Sequence, residues 1–102
     1  MFNLEQRKIL VTGASGAIGA AIARAFHAQG AEVTLSGRRE AVLTKLAESM
    51  GDARVHVVTC DLFDEESMAN LVPQAIEKMG GIDTLVNNAG IAGPTKLIEN
   101  IT

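Results

Sequence analysis

The stretch Leu10-Val11-Thr12-Gly13-Ala14-Ser15-Gly16-Ala17-Ile18-Gly19 decides the fold. An apolar run, Ile9 to Val11, stops at a glycine-rich turn, and past Gly19 an alanine-rich segment begins with helical spacing. Strand, loop and helix follow in that order. A loop that opens a helix at the rim of a parallel sheet points its backbone N–H groups and the helix dipole at one spot, which suits a phosphate. Taken alone the loop is a weak signal, because any strand-to-helix turn can use glycine. The rest of the chain has to support it.

Working outward, the run at 9–12 is short and continuously apolar, as expected for a strand covered on both faces. Within 17–29 the residues Ile18, Ile22, Ala25 and Phe26 recur at helical spacing, and Gly30 is placed to end that helix in a left-handed C′ conformation. A second strand at 32–36 follows at once. A second helix is expected over 38–50, with Val42, Leu46 and Met50 on its buried face and Gly51 as its stop. The third strand, 54–59, carries the β-branched Val55, Val57 and Val58. Asp64 is placed to cap a third helix whose first turn holds Glu65 and Glu66, the sign that the dipole favours. Met68, Leu71, Val72, Ala75, Ile76 and Met79 trace its apolar stripe as far as Gly80 and Gly81. Pro73 interrupts the stripe; an interior proline costs about 3 kcal/mol, which predicts a kink or restart near Val72. The fourth strand is 84–87, and residues 91–102 read as a loop leading into another helix.

The fold class is therefore α/β: a Rossmann-type doubly wound parallel sheet, first half only, in the order β-α-β-α-β-α-β. Right-handed crossovers predict the strand order 3-2-1-4. No internal repeat or low-complexity linker divides the chain, so residues 1–102 read as a single unit.

Composition sets the outer bounds. With 47% hydrophobic and 21% charged residues the chain is an ordinary globular sequence. Its net charge of -3, with no clustered basic face, argues against a nucleic-acid partner. Cys60 is the only cysteine, which excludes an intrachain disulfide and favours a reducing compartment; it reads as a small apolar residue at a strand end. Residues 1–8 lack the apolar core of a signal peptide, and nothing approaches the roughly 20 apolar residues of a membrane span. A cytoplasmic protein without membrane contact is expected. His27 and His56 have no second ligand at metal-binding spacing, so no metal site is expected.

Three further features fall at strand carboxyl ends, where ligands bind in open α/β sheets. They are Gly37-Arg38-Arg39 after the second strand, Asp61-Leu62 after the third, and Asn87-Asn88-Ala89-Gly90 after the fourth. Together with the opening loop, these residues resemble the short-chain dehydrogenase/reductase family over nearly the whole chain. Within that family, Leu-Val-Thr-Gly-Ala-Ser and Val-Asn-Asn-Ala-Gly-Ile are most similar to the 3-oxoacyl-(acyl-carrier-protein) reductases of fatty-acid biosynthesis.

The resemblance implies a role for each position. Gly13, Ala14, Ser15, Gly16, Ile18 and Gly19 would wrap the pyrophosphate and adjoining ribose of a nicotinamide dinucleotide. Asp61 would accept from the adenine amino group, with Leu62 beside it, and Asn88, Ala89 and Gly90 would line the ribose nearer the nicotinamide. Other readings remain open: Asp61 could cap the turn before the third helix, and Asn87-Asn88 could be turn formers. One departure stands in the loop. The family writes Thr-Gly-x-x-x-Gly-x-Gly, whereas Ala17 occupies the middle glycine position here and Gly16 precedes it. The expectation is that Gly16 adjusts the loop to compensate.

The choice of cofactor turns on the second strand. NAD binders place Asp or Glu there for the ribose 2′-OH, but Gly37 offers no carboxylate, and Arg38 and Arg39 offer guanidiniums suited to a 2′-phosphate. Two cations in the first turn of a helix would also oppose its dipole, a conflict that a bound anion would relieve. NADP(H) is the expected cofactor. A receiver domain would need acidic residues after the first strand, and a methyltransferase an acid after the second; neither is present. The catalytic Ser, Tyr and Lys that the resemblance implies would lie beyond Thr102, and the chain contains no Tyr. The expectation is an NADP(H)-dependent reductase, with an acyl-carrier-protein-bound substrate in the full-length protein, of which this chain is the cofactor-binding portion, inactive alone. The competing class is an inactive nucleotide-binding or self-assembling fragment. Uncovered sheet edges and helix faces predict self-association.

Overall fold

The computed structural model describes residues 5–51, 53–61 and 64–88. Seven elements follow one another: β1 (Lys8–Thr12), α1 (Ala17–Ala28), β2 (Glu32–Gly37), α2 (Glu40–Ser49), β3 (Val55–Thr59), α3 (Glu65–Met79) and β4 (Thr84–Asn87). The four strands form one sheet in the order β3-β2-β1-β4, every pair parallel. Ile9 pairs with Val33 and Thr84, and Val33 with Val55, so the central strands stack β-branched residues in register.

Strand alternation sorts these residues into two cores. Ile9, Val11, Val33, Leu35 and Val55 face one way, against Ala23 of α1 and Leu43, Leu46 and Ala47 of α2. Leu10 and Val58 face the other way, with Cys60, against Leu71, Ala75 and Met79 of α3. Among the described residues, two helices thus cover one face and one helix the other. Among the described residues, β3 and β4 are the edge strands, and Leu85 of β4 stays 53% exposed on the α3 side.

The helix ends follow from local chemistry. Gly30, Gly51 and Gly80 all take positive φ, where an L side chain is strained, and each follows a helix as expected. Asp64 caps α3, its carboxylate accepting from Glu66 N at 3.0 Å. The α3 helix runs on through Pro73, so the expected restart at Val72 does not occur.

The helix faces depart from the hydropathy pattern. In α1 the buried residues are Gly19 and Ala23, while Ile18 is 62% exposed. In α2, Leu43 and Ala47 are buried with Leu46, and Val42 is exposed. In α3, Met68, Val72 and Ile76 of the expected stripe lie exposed beside the buried Leu71, Ala75 and Met79. In α1 the reason is distance: the helix surface nearest the sheet has room for Gly and Ala, and larger side chains splay to its flanks.

These assignments predict an asymmetric response to truncation. Leu43→Ala removes a fully buried side chain and is expected to cost about 2–5 kcal/mol in urea unfolding, whereas Ile18→Ser is expected to change stability by less than about 0.5 kcal/mol.

Candidate functional site

The carboxyl ends of all four strands meet at one rim. At the end of β1, Gly13 turns the chain with φ +66, a left-handed conformation that glycine allows. Ala14 N then donates to the Ser36 carbonyl at 2.9 Å, and Gly16 N donates to the Gly13 carbonyl at 3.2 Å. The loop is therefore stitched to β2 and closed on itself. Ala14 is fully buried, its methyl in the core shared with α1 and α2.

Gly16 is the N-cap of α1, with an ordinary extended backbone of φ -92 and ψ 164. Any residue adopts that conformation, so the adjustment expected of Gly16 does not draw on glycine's backbone freedom. What glycine does contribute is the absence of a side-chain cap, and no acidic residue stands in the first turn. The opening N–H groups of α1 keep their partial positive charge.

The loop is pressed against α1 from below. A Cβ at Gly19 would overlap the Gly13 carbonyl and come within 2.9 Å of Asn88 Nδ2. Immediately after β4, Asn88 Nδ2 donates to the Gly13 carbonyl at 3.3 Å. Thr12 Oγ1 donates toward the Val86 carbonyl at 3.2 Å and Asn87 Oδ1 at 3.1 Å. Asn87 and Asn88 are thus more than turn formers, because Asn87 ties the end of β4 to Thr12 of β1 and Asn88 ties it to the glycine loop.

At the end of β2, position 37 is crowded. A Cβ there would lie 3.0 Å from Ser15 Oγ, 3.4 Å from Ser15 Cβ and 3.5 Å from Leu43 Cδ2. Arg38 and Arg39 are exposed, and α2 begins only at Glu40, with Arg39 as its N-cap. The expected clash of two arginines with the dipole is therefore absent: the first turn holds an acid, Glu40.

Arg38 lines a cleft of about 260 Å³ together with Thr59, Cys60, Asp61 and Ser67. Arg38 and Asp61, far apart in sequence, are thereby brought to one place. The turn before α3 is capped by the Asp64 side chain, while Asp61 contributes its carbonyl, which accepts from Asp64 N at 3.0 Å. Ser67 was not a sequence candidate; its signal is its position as the third residue of α3, where side chains reach back past the cap. Ser15, Gly16 and Ala17 also border a second cleft, of about 270 Å³, that runs between α1 and α2 past Arg24 and Lys45. Leu62, Ala89 and Gly90 lie outside the described residues.

The two histidines are engaged elsewhere. His27 Nε2 lies 2.7 Å from the Ala53 carbonyl, and His56 Nε2 lies 2.6 Å from Glu32 Oε2. Among the described residues no group of three or more His, Cys, Asp and Glu is placed to hold a metal ion, and no helix is long and apolar enough to cross a membrane.

Known proteins share this arrangement. The sequence profile of the short chain dehydrogenase family matches residues 7–101. Nodulation protein G of Rhizobium meliloti (strain 1021) is 50% identical over 91 residues, which make up 89% of this chain and 37% of that protein. A short chain dehydrogenase from Mycobacterium smegmatis superimposes with a TM-score of 0.78 at 34% identity, over 85% of this chain and 39% of that one. A short-chain dehydrogenase/reductase of unknown function from Caenorhabditis elegans, solved with cofactor, superimposes with a TM-score of 0.74 at 25% identity, over 80% of this chain and 32% of that one. The chain thus spans less than half the length of each of these proteins. With its four-stranded parallel sheet and its glycine loop held by Asn88, this chain belongs to the short chain dehydrogenase family.

Proposed function

We propose that the rim binds NADP(H) and that the chain is the cofactor-binding portion of a longer carbonyl reductase. The observation that carries the choice of NADP(H) is the set Ser15, Gly37 and Arg38. A carboxylate for a free ribose 2′-OH would have to grow from position 37, where even a Cβ presses on Ser15. Next to it stands an exposed guanidinium, which complements a 2′-phosphate and only weakly favours a neutral hydroxyl.

The remaining contacts follow the rim. The first-turn N–H groups of Ala17, Ile18 and Gly19 take the pyrophosphate, with Gly13 and Gly16 leaving room for its approach and Ala14 anchoring the loop from within the core. Asp61 accepts from the adenine amino group, with Leu62 beside it. Asn88 reaches this site through Gly13, whose carbonyl it holds, and with Ala89 and Gly90 it borders the ribose nearer the nicotinamide. Bound here, the nicotinamide supplies a hydride for a carbonyl.

The substrate reading is a 3-oxoacyl thioester carried by an acyl-carrier protein, in the cytoplasm. It is supported by the wording of the two motifs at the ends of β1 and β4. The groups that protonate the carbonyl belong to the segment that follows in the longer protein. In this chain the exposed Leu85 on edge strand β4 favours self-association.

Three outcomes check the reading. Calorimetric titration is expected to show tighter binding of NADP(H) than of NAD(H), and Arg38→Ala should weaken NADP(H) about tenfold or more while leaving NAD(H) nearly unchanged; equal or tighter NAD(H) binding by the unaltered chain overturns the choice of cofactor. Gly16→Asp should cap α1, holding or raising the melting temperature, yet weaken the dinucleotide by at least about tenfold because a carboxylate then occupies the phosphate's place. The unaltered chain should scatter light as more than a monomer and reduce no acetoacetyl thioester with NADPH; turnover at an enzyme-like rate would show that it is no mere portion.

A further inference from the structure

Beyond the last rung of the sheet, the backbone of Asp61 takes its partners from α3. The β2–β3 pairing ends where Cys60 N donates to the Gly37 carbonyl at 2.8 Å. One residue on, Asp61 N donates to Ser67 Oγ at 2.9 Å, and the Asp61 carbonyl accepts from Asp64 N at 3.0 Å. Both backbone polar groups of Asp61 are thereby held by the start of α3.

Ser67 makes an unusual reach. In a capping box, the side chain of the third helical residue returns to the N–H of the cap residue. Here the cap residue is Asp64, whose N–H already goes to Asp61, and Ser67 bonds three residues further back. The bond joins the helix to the end of β3 instead of closing the helix's own first turn. Ser67 and Asp61 also line the same cleft, with Arg38 on its wall.

We infer that Ser67 is a positioning residue for purine recognition: by fixing the Asp61 backbone it aims the Asp61 carboxylate at the 6-amino group of an adenine. The inference rests on the dinucleotide reading given above. Its chemistry is a match of donor to acceptor. An ionised carboxylate only accepts, and adenine offers an N–H at C6. Hypoxanthine carries an oxygen there, so that acceptor meets acceptor. Discrimination of this kind depends on direction, because hydrogen bonds weaken steeply with misalignment. Without Ser67 the N–H end of Asp61 loses its anchor while the carbonyl end keeps its own. The direction of the carboxylate is then less closely fixed, and the adenine form loses more than the hypoxanthine form.

The test compares affinities for NADP⁺ and its hypoxanthine analogue, titrated by calorimetry against the full chain, Ser67→Ala and Ser67→Thr. Each ratio is taken on one protein sample, so a smaller folded fraction lowers both affinities and leaves the ratio unchanged. The unaltered chain is expected to favour the adenine form by about tenfold or more, Ser67→Thr to keep that ratio, and Ser67→Ala to bring it below about threefold. An undiminished ratio in Ser67→Ala, or a ratio near one in the unaltered chain that still binds both forms, overturns the inference and leaves the dinucleotide reading standing. Failure of the unaltered chain to bind either form overturns that reading and the inference with it.

Discussion

Everything at the rim depends on how closely α1 approaches the Gly13 carbonyl. Position 19 has no space for a side chain, because the helix lies directly on the turn that follows β1. That contact draws the first turn of α1 down to the carboxyl end of the sheet, where its N–H groups face the space above the strands. The same carbonyl accepts from Gly16 N and from Asn88 Nδ2, so one oxygen joins the loop, the helix start and the residue that follows β4. A backbone carbonyl has lone pairs enough for both donors. The loop is therefore rigid through contacts that come from three different parts of the chain.

Strand order and element sequence were readable because each strand is a short β-branched or apolar run and each helix ends at a glycine of positive φ. The buried helix faces were readable in part: Leu46 of α2 and Leu71, Ala75 and Met79 of α3 are buried as their spacing predicts. Ile18, Val42 and Ile76 lie exposed, whereas Gly19, Ala23 and Leu43, which the spacing does not single out, are buried. Hydropathy rewards size, and α1, which buries Gly19 and Ala23, selects against size along its line of closest approach. The helix α2 also starts two residues later than its spacing predicts. Arg38 and Arg39 fall outside the helix, and Glu40 is the residue that answers the dipole.

Site residues divided along similar lines. The proposed site residues Gly13, Gly16, Arg38, Asp61 and Asn88 come together because each follows a strand end, and parallel sheets gather those ends at one rim. The use to which Asn88 is put was not readable, since its bond to Gly13 spans 75 residues of sequence. Ser67 was hidden for a related reason. Its partner is six residues back, across a loop, beyond the spacing at which helix caps are recognised.

The spelling of the glycine loop can now be judged on energetic grounds. Ala17 is the first residue of α1, exposed, and helical in backbone, so a glycine there would lower helix propensity without relieving strain. Gly16 immediately before it is extended and uncapped. Between them the two residues transfer glycine's openness from the helix to the cap: the N-terminus of α1 gains a well-formed first turn and loses the side chain that would otherwise cover it. A phosphate approaching along the axis meets N–H groups with no competing acceptor, and its cost in this variant is one methyl group at the side of the path. The departure at Ala17 is thus a redistribution of space within the loop, and the helix dipole remains available to an anion.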